Sequence, residues 1–322
     1  MADNPFKLNR PWLVAVWPGM GHVALNAGIY LLSKLEMTVV AEYDAGDLFE
    51  VEQVEVKGGL IQAGRPPRNR FFVWQDPAGK HDLVVFLGEA QPPIGKYPFC
   101  RQLIRLAKEH GIEKVFTFAA MATGMSHTDP SRVFAAATDQ TTLEELKRLE
   151  LNLLEDGNIG GLNGVLLGAA AEAGLPGACL LGEMPHIFAR LPFPKASRAI
   201  LDVFATMAGL DLDLSPLDEQ VAEVDRQLGE LLERARQASE GESTDEDEGD
   251  EDEDEGANGA GEGSPTASDR IRQQQAERID ILFAAARQDR AKAFELKQEL
   301  DRLGRFAEYE DRFLDLFKKP AE

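Results

Sequence analysis

Runs of consecutive apolar residues set the strongest limit on how this chain can fold. Trp12–Trp17 and Leu83–Gly88 contain no charged side chain and are each six residues long. Such runs are typical of β-strands buried on both faces, as in sheets that helices cover on either side. Pro18-Gly19 follows the first run directly and indicates a turn at its end.

Helix-like segments alternate with strand-like segments as far as about residue 210. Apolar residues at helical spacing predict helices over His22–Leu35, Tyr97–His110, Thr142–Leu154, Leu162–Ala173 and Lys195–Ala208. Further strands are predicted over Thr38–Tyr43, Val51–Val56, Phe71–Trp74, Lys114–Ala119 and Gly177–Gly182. This alternation predicts an α/β domain over residues 11–214, with a largely parallel or mixed sheet between helices. Residues 1–10 are expected to form an N-terminal tail.

A helix followed by a very acidic segment comes after this domain. Ser215-Pro216 supplies a cap and a proline at the first helical position, which predicts a helix over residues 215–238. Residues 240–262 then hold 13 Asp and Glu and no Lys or Arg. A segment with so little apolar surface cannot offset its ordering entropy, so a disordered acidic linker is expected over residues 239–267.

Apolar residues at heptad spacing return between Ile279 and Phe317, interrupted by Asp289 and Glu310. The spacing predicts one long C-terminal helix over residues 268–319, in a coiled coil or a helical hairpin. Its apolar seam would need a partner, either in another protomer or in the 215–238 helix of the same chain. The pairing within the chain is favoured, because the linker keeps that partner close.

Charge and cysteine content exclude several classes of function. The net charge is −22, of which the acidic linker contributes 13 negative charges, so phosphate backbones and anionic membranes are repelled. The longest weakly polar stretch, Ile159–Ala171, is too short to span a bilayer. Cys100 and Cys179 are too few for a disulfide framework or a four-ligand zinc site. We therefore expect a cytoplasmic protein without a metal, a cofactor, or a nucleic-acid or membrane partner.

Two glycine-rich segments are the candidate binding sites. Gly19, Gly21 and His22 belong to a G-x-G-x-x-A motif that follows a strand and opens a helix, as in dinucleotide-binding turns. The second segment carries Gly161, Asn163 and Gly164 ahead of another helix. Either segment can expose backbone N–H groups to an anion, or can simply let a helix pack close to the sheet. Packing is the favoured interpretation of both.

No convincing catalytic set is visible in the sequence. Ser126-His127-Thr128-Asp129 holds the residue types of a catalytic triad, but sequence neighbours rarely converge as a triad requires. Cys179, Glu183 and His186 are more readily explained by packing than as metal ligands. These observations favour a partner-binding protein over an enzyme.

Several short segments, in their order and spacing, resemble the PAC-two family of proteasome assembly chaperones over about residues 11–217. They are Pro18-Gly19-Met20-Gly21, Leu83–Gly88 with Pro92-Pro93, Gly161-Leu162 through Leu167-Gly168, Ala178 through Glu183, Pro194 through Ser197, and Leu210-Asp211-Leu212 with Leu217. The resemblance implies a mixed, twisted sheet flanked by helices, like that of purine nucleoside phosphorylases, with a C-terminal helical extension in this chain. It also implies a protein partner or self-association, since eukaryotic members bind proteasome α-type subunits.

The phosphorylase-like fold leaves an alternative function open. In that fold the Gly19–Gly21 turn would hold phosphate and Glu183 would hold ribose, giving a small-anion or nucleoside-binding protein, or a phosphorylase or nucleosidase. Some archaeal relatives end in a hydrophobic-Tyr-any tail that docks on the proteasome. This sequence ends Pro320-Ala321-Glu322, so the resemblance does not extend to docking by such a tail.

Overall fold

The structure is a computed structural model that describes residues 8–49, 54, 56–57, 59–61, 63–241 and 267–318. Its strands are β1 (Trp12–Val16), β2 (Thr38–Glu42), β3 (Val56–Lys57), β4 (Leu60–Ile61), β5 (Asn69–Trp74), β6 (Leu83–Gly88), β7 (Lys114–Thr123), β8 (Val133–Ala137), β9 (Asn152–Leu153) and β10 (Gly177–Pro185). Its α-helices are α1 (Val23–Lys34), α2 (Lys96–Glu109), α3 (Gln140–Arg148), α4 (Gly161–Glu172), α5 (Pro194–Ala208), α6 (Ser215–Gly241), α7 (Ala267–Gln288), α8 (Ala293–Arg302) and α9 (Phe306–Leu314).

Eight strands form one mixed sheet in the order β2-β5-β6-β1-β7-β10-β8-β9, and β3 pairs with β4 in a separate hairpin. β1 lies parallel to β6 and β7, and β7 lies parallel to β10. β5 runs antiparallel to both β2 and β6, and β8 runs antiparallel to β10. The strands β1, β2, β6, β7 and β10 therefore end at the same edge of the sheet, here called the carboxyl edge.

Helices cover both faces of this sheet, as the apolar runs predicted. One core lies between the sheet and helices α1 and α5, and includes Val14, Ile29 and Phe204. The other lies against α2 and α4 and includes Phe86 and Leu166. All residues of β1, β6 and β10 are buried, which confirms that these strands have no face in water.

The predicted helix over Thr142–Leu154 was too long, and the strands β4, β8 and β9 were not predicted. Helix α3 ends at Arg148, and Glu150 adopts a positive φ of 55° that a helix cannot continue through. Residues 152–153 form β9 instead. Strand β8 escaped prediction because its sequence, Val-Phe-Ala-Ala-Ala, is mostly alanine, which has a low propensity for strands. Its pairing with β10 places it in the sheet.

The long helix predicted over residues 268–319 is divided into α7, α8 and α9, with short 3₁₀ turns at Arg290–Lys292 and Asp315–Phe317. The Asp289 carboxylate accepts a hydrogen bond from the Ala291 N–H at 3.0 Å and so begins a new helical segment. Gly304, with a φ of 65°, follows the end of α8. The heptad pattern showed Asp289 only as an interruption of the apolar seam, and Gly304 lies outside the seam positions, so neither break was predicted.

The C-terminal seam packs within the chain, but its main helical partner is α1. Ile279, Leu296 and Phe317 are buried in the same core as α1 and α5. The Tyr30 ring of α1 meets the Phe294 ring of α8 edge-on, with 4.5 Å between centroids. The predicted acidic linker falls largely on residues 242–266, and most of the predicted N-terminal tail on residues 1–7. Both ranges lie outside the described residues.

A group of charges around the buried Arg70 joins α9 to the carboxyl edge of the sheet. We call Arg65, Arg70, Glu89, Glu310 and Asp311 the charge cluster. Arg70 is 1% exposed, and its Nη2 lies 2.7 Å from Asp311 Oδ1. Arg65 Nη1 donates to Glu89 Oε2 at 2.7 Å, and Arg70 Nη1 lies 3.1 Å from Glu89 Oε1. Because a buried charge without its partner is costly, these pairs fix α9 in one position.

Ionisation of Glu310, a member of the charge cluster, destabilises the folded state. Its pKa is raised to about 8, with burial as the largest cause and the neighbouring Glu89 as the next, while Lys297, Arg70 and Arg65 act in the opposite direction. In the unfolded chain the carboxyl ionises near pH 4.5. Between these values the folded state holds a proton that the unfolded state has lost, so this group's contribution to stability falls as the pH rises.

We predict that Glu310→Gln stabilises the protein near pH 8, because a neutral amide avoids the cost of keeping a buried carboxyl protonated. Allowing for the partial exposure of Glu310, the free energy of unfolding should rise by about 1–2 kcal/mol at pH 8 and should hardly change at pH 4.5. Chemical denaturation of the variant and the wild type across this pH range measures the difference. Glu295→Gln, on the exposed side of α8, is the matched control. An equal gain at both pH values would contradict the assignment.

Candidate functional site

Loops at the carboxyl edge of the sheet are joined into one surface, which we call the loop face and define as residues 17–22, 89–95, 160–162 and 186–193. The Gly21 N–H donates to the Ala189 carbonyl at 2.9 Å, and the Phe193 N–H donates to the Gly21 carbonyl at 2.9 Å. Ligands of open α/β sheets usually bind at this edge. The loop face is therefore the first place to look for a functional site.

Gln91 brings the two predicted glycine-rich segments together. Its Nε2 donates to the Pro18 carbonyl at 3.1 Å, and its Oε1 accepts from the Leu162 N–H at 3.2 Å. The turn after β1 and the start of α4 are thus neighbours, although 140 residues separate them in sequence. Gln91 carried no signal in the sequence, since it lies in a loop and belongs to no motif.

The turn containing Gly19, Gly21 and His22 is packed against its neighbours. Gly21 is buried with a φ of 60°, and a Cβ there would lie 2.8 Å from the side-chain sulfur of Met184. Its N–H and its carbonyl are both used by the 186–193 loop. His22 opens α1 with a φ of 51°, and burial lowers its pKa, with Lys297 adding to the effect. Gly19 is extended and has open space beside it.

The second glycine-rich segment serves close packing of α4. A Cβ on Gly164 would lie 1.9 Å from the Ile159 carbonyl oxygen, a distance that no side chain tolerates. Gly161 has a φ of 68° and contacts Gln91. Asn163 is buried, and its carbonyl accepts a hydrogen bond from Thr117 Oγ1 of β7 at 3.2 Å. The local backbone therefore favours glycine at 161 and 164, whereas the Asn163 side-chain Oδ1 is buried without a hydrogen-bond partner among the described residues.

Glu183, the residue expected near a ribose, is 1% exposed on β10 and lies next to Met184, whose side chain packs under the glycine turn. Arg132 binds its carboxylate with both Nε and Nη2, at 2.7 Å each, and Thr123 Oγ1 donates to it at 2.8 Å. The Arg132 guanidinium holds the Glu183 pKa below its usual range. The carboxylate lines a cavity of about 440 Å³, yet a ribose hydroxyl would compete with Arg132 and Thr123.

The other chemistry-bearing residues lack a catalytic arrangement. Ser126 Oγ lies 2.9 Å from Thr128 Oγ1, and Asp129 accepts from the Ser126 N–H, so both belong to a local turn. Burial raises the pKa of Cys100 and Cys179 to about 12, which leaves both thiols unreactive. Within the described residues, no group of three or more His, Cys, Asp or Glu is placed to hold a metal. None of the described helices is long and apolar enough to cross a membrane.

Exposed apolar side chains are the most distinctive feature of the loop face. Met20 is 46% exposed, Ile94 63%, Ile187 58% and Leu191 38%, and they lie on three loops of that face. Apolar groups clustered in this way on a surface usually mark an interaction site. Sequence reasoning missed them, although Pro92-Pro93-Ile94-Gly95 gave a signal, namely a large apolar residue inside a strong turn sequence.

Comparison with known proteins identifies the family of this fold. The sequence model of the PAC2 family matches residues 13–232. This is the same PAC-two family that the short sequence segments resemble. The chain belongs to the PAC2 family. A protein of Methanocaldococcus jannaschii is 27% identical over 217 residues, which are 66% of this chain and 80% of that relative. Helices α7–α9 lie beyond the matched range.

Solved structures of PAC2-like proteins share the sheet and its flanking helices. PbaB of Pyrococcus furiosus, an archaeal proteasome activator, is 26% identical with a TM-score of 0.61, covering 71% of this chain and 96% of its own. PbaA of the same organism, an archaeal homologue of a proteasome-assembly chaperone, is 25% identical with a TM-score of 0.57, covering 74% and 94%. A Mycobacterium tuberculosis proteasome-assembly chaperone homologue, 21% identical with a TM-score of 0.60, covers 68% and 94% and supports the fold alone.

The packing role of Gly164 predicts a large difference between two alanine variants of α4. Gly164→Ala should destabilise the protein by about 2–4 kcal/mol, because the new Cβ must displace the Ile159 backbone. Gly168→Ala, one turn later with nothing within 4 Å, should be neutral or stabilising by up to about 1 kcal/mol. Denaturant unfolding of both variants measures the contrast. Similar free energies of unfolding for the two variants would show that close packing does not exclude a side chain at residue 164.

Proposed function

We propose that this chain is a non-catalytic, proteasome-assembly-chaperone-like protein that binds a protein partner through its loop face. The observation that carries the proposal is the group of exposed apolar side chains on loops that hydrogen bonds hold together. Membership of the PAC2 family, and the proteasome-related descriptions of PbaB and PbaA, support a proteasome subunit as the partner.

The partner surface should be apolar and should lie on the proteasome α-type subunits. Met20, Ile94 and Ile187 would bury apolar area against it, which is the main source of affinity at protein interfaces. A cytoplasmic location follows from this partner. We also propose that the chain self-associates, and that residues 11–214 form the family domain to which the later helices are an extension.

The contacts of the glycine turn and of Glu183 argue against the alternative of a nucleoside-binding protein or a phosphorylase. The N–H of Gly21 already donates to Ala189, so it is not free for a phosphate oxygen. The Glu183 carboxylate is taken by Arg132 and Thr123. A phosphorylase would need both groups for its substrate.

The interaction is tested by placing charges on the loop face. Ile94→Asp combined with Ile187→Asp should weaken binding to purified proteasome α-type subunits of the same organism at least tenfold, since a carboxylate cannot be buried against an apolar surface. Ile281→Asp on α7, at a residue 69% exposed away from the loop face, is the control. Sedimentation velocity of the mixtures measures binding.

Two outcomes would overturn the proposal. One is the absence of any complex with either the free α-type subunits or the assembled core particle, including the case of a host that encodes no proteasome. The other is a complex that the control weakens as much as the loop-face variant does.

Ligand screening tests the nucleoside alternative directly. We expect no change in melting temperature with millimolar phosphate, nucleosides or nucleotides, because the Gly21 N–H and the Glu183 carboxylate have internal partners. A saturable rise in melting temperature with any of these compounds, lost in Glu183→Gln, would favour the alternative.

A further inference from the structure

A groove separates α6 from the C-terminal helices, and we call it the helix groove. It has a volume of about 590 Å³ and is walled by α6 on one side and by α7 and α8 on the other. Val224, Leu228 and Leu231 of α6 line it at positions i, i+4 and i+7, and Leu282 of α7 lines the opposite wall. Leu228 is buried at the base of the groove and Leu231 is 49% exposed, so the groove has an apolar floor that is partly uncovered.

The rim of the helix groove is acidic. Five carboxylate side chains line it, against two arginines. Both arginines, Arg278 and Arg302, are already paired with Glu299. Glu219 on α6 and Glu295 on α8 are exposed and have no ion-pair partner among the described residues. Two uncompensated negative charges therefore stand on opposite walls, with apolar side chains between them.

Gln220 adds a polar acceptor to the same groove. Its Oε1 is buried and has no hydrogen-bond partner within the part of the chain that the structure describes. A buried acceptor without a donor is costly, so an occupant that supplies an N–H group would be stabilised. The apolar floor, the acidic rim and the unpaired Gln220 acceptor together favour an occupant that has apolar groups, positive charges and N–H donors.

We infer that the helix groove binds a basic amphipathic helix of a partner protein. Its apolar face would cover Leu231 and Leu282, and its Lys or Arg side chains would reach Glu219 and Glu295. The walls are helices, whose backbone groups are satisfied along their length, so they offer no main-chain pairing to an extended peptide. A helical segment satisfies its own backbone and needs only side-chain contacts.

The helix groove is continuous with the loop face, because Leu191 belongs to both. The inference deepens the proposed function in that the groove would form a second part of the partner-binding surface. The inference about the helix groove is tested without any proteasome subunit, so its outcome is separate from that of the loop-face experiment.

The test uses the purified full-length chain and a fluorescein-labelled 14-residue peptide of Leu and Lys, with Leu at helical spacing. We expect saturable binding by fluorescence anisotropy that Glu219→Lys with Glu295→Lys weakens at least tenfold. Glu155→Lys with Asp156→Lys changes the net charge equally at exposed residues outside the groove, and should weaken binding less than twofold. Leu231→Asp should also weaken binding, whereas Ile281→Asp should not.

The peptide with Glu in place of Lys should not bind, and a photocrosslinking copy of the Lys peptide should attach to α6, α7 or α8. Equal losses in the groove variant and its charge-matched control would overturn the inference, because they would assign binding to overall charge, including the acidic residues of 240–262. Crosslinks confined to other elements, or no binding at low salt, would overturn it as well. The melting temperature of each variant should equal that of the wild type, so that a loss of binding is not caused by unfolding.

Discussion

Strand β1 is buried on both of its faces, and most of the fold depends on that constraint. An apolar strand at the centre of a sheet is stable only if helices exclude water from both sides. On one side α1 approaches so closely that a Cβ on Gly28 would lie 2.6 Å from the Val16 side chain. The chain must leave β1 through a tight turn to enter that helix, which explains the positive φ of Gly21 and His22. The glycine motif is a consequence of this close approach.

Polar contacts, one of them an ion pair, hold α8 and α9 in place beyond the range matched by the PAC2 family model. Asp311 from α9 lies against Arg70, and Lys297 from α8 is 1% exposed with its Nζ 2.9 Å from Asn26 Oδ1 of α1. Isolated charges at these depths would be strongly destabilising, so α8 and α9 have little freedom to shift. Apolar burial supplies the driving force for their docking, and the ion pairs fix its geometry.

The sequence predicted the parts of this fold that local patterns determine. Unbroken apolar runs identified β1 and β6, and the capped start at Ser215 identified α6, because these signals lie within a few residues of each other. The charge cluster joins residues as far apart as Arg65 and Asp311, and no local pattern connects them. For the same reason the two glycine-rich segments were found separately, while Gln91, which joins them, was not. The role of each glycine-rich segment depends on residues that contact it in the fold but are distant from it in sequence.

Rigidity of the loop face explains how apolar side chains can remain exposed there without collapse into the core. Gly21 is bonded on both sides to the 186–193 loop, and Gln91 ties Pro18 to the start of α4, so the exposed residues sit on a fixed frame. A preformed surface loses little conformational entropy on binding, and more of the apolar burial then contributes to affinity. Two amides of the glycine-rich segments, those of Gly21 and Leu162, form part of this frame. The glycine turn after β1 therefore supports the proposed recognition surface, because the Gly21 N–H and carbonyl both bond to the 186–193 loop.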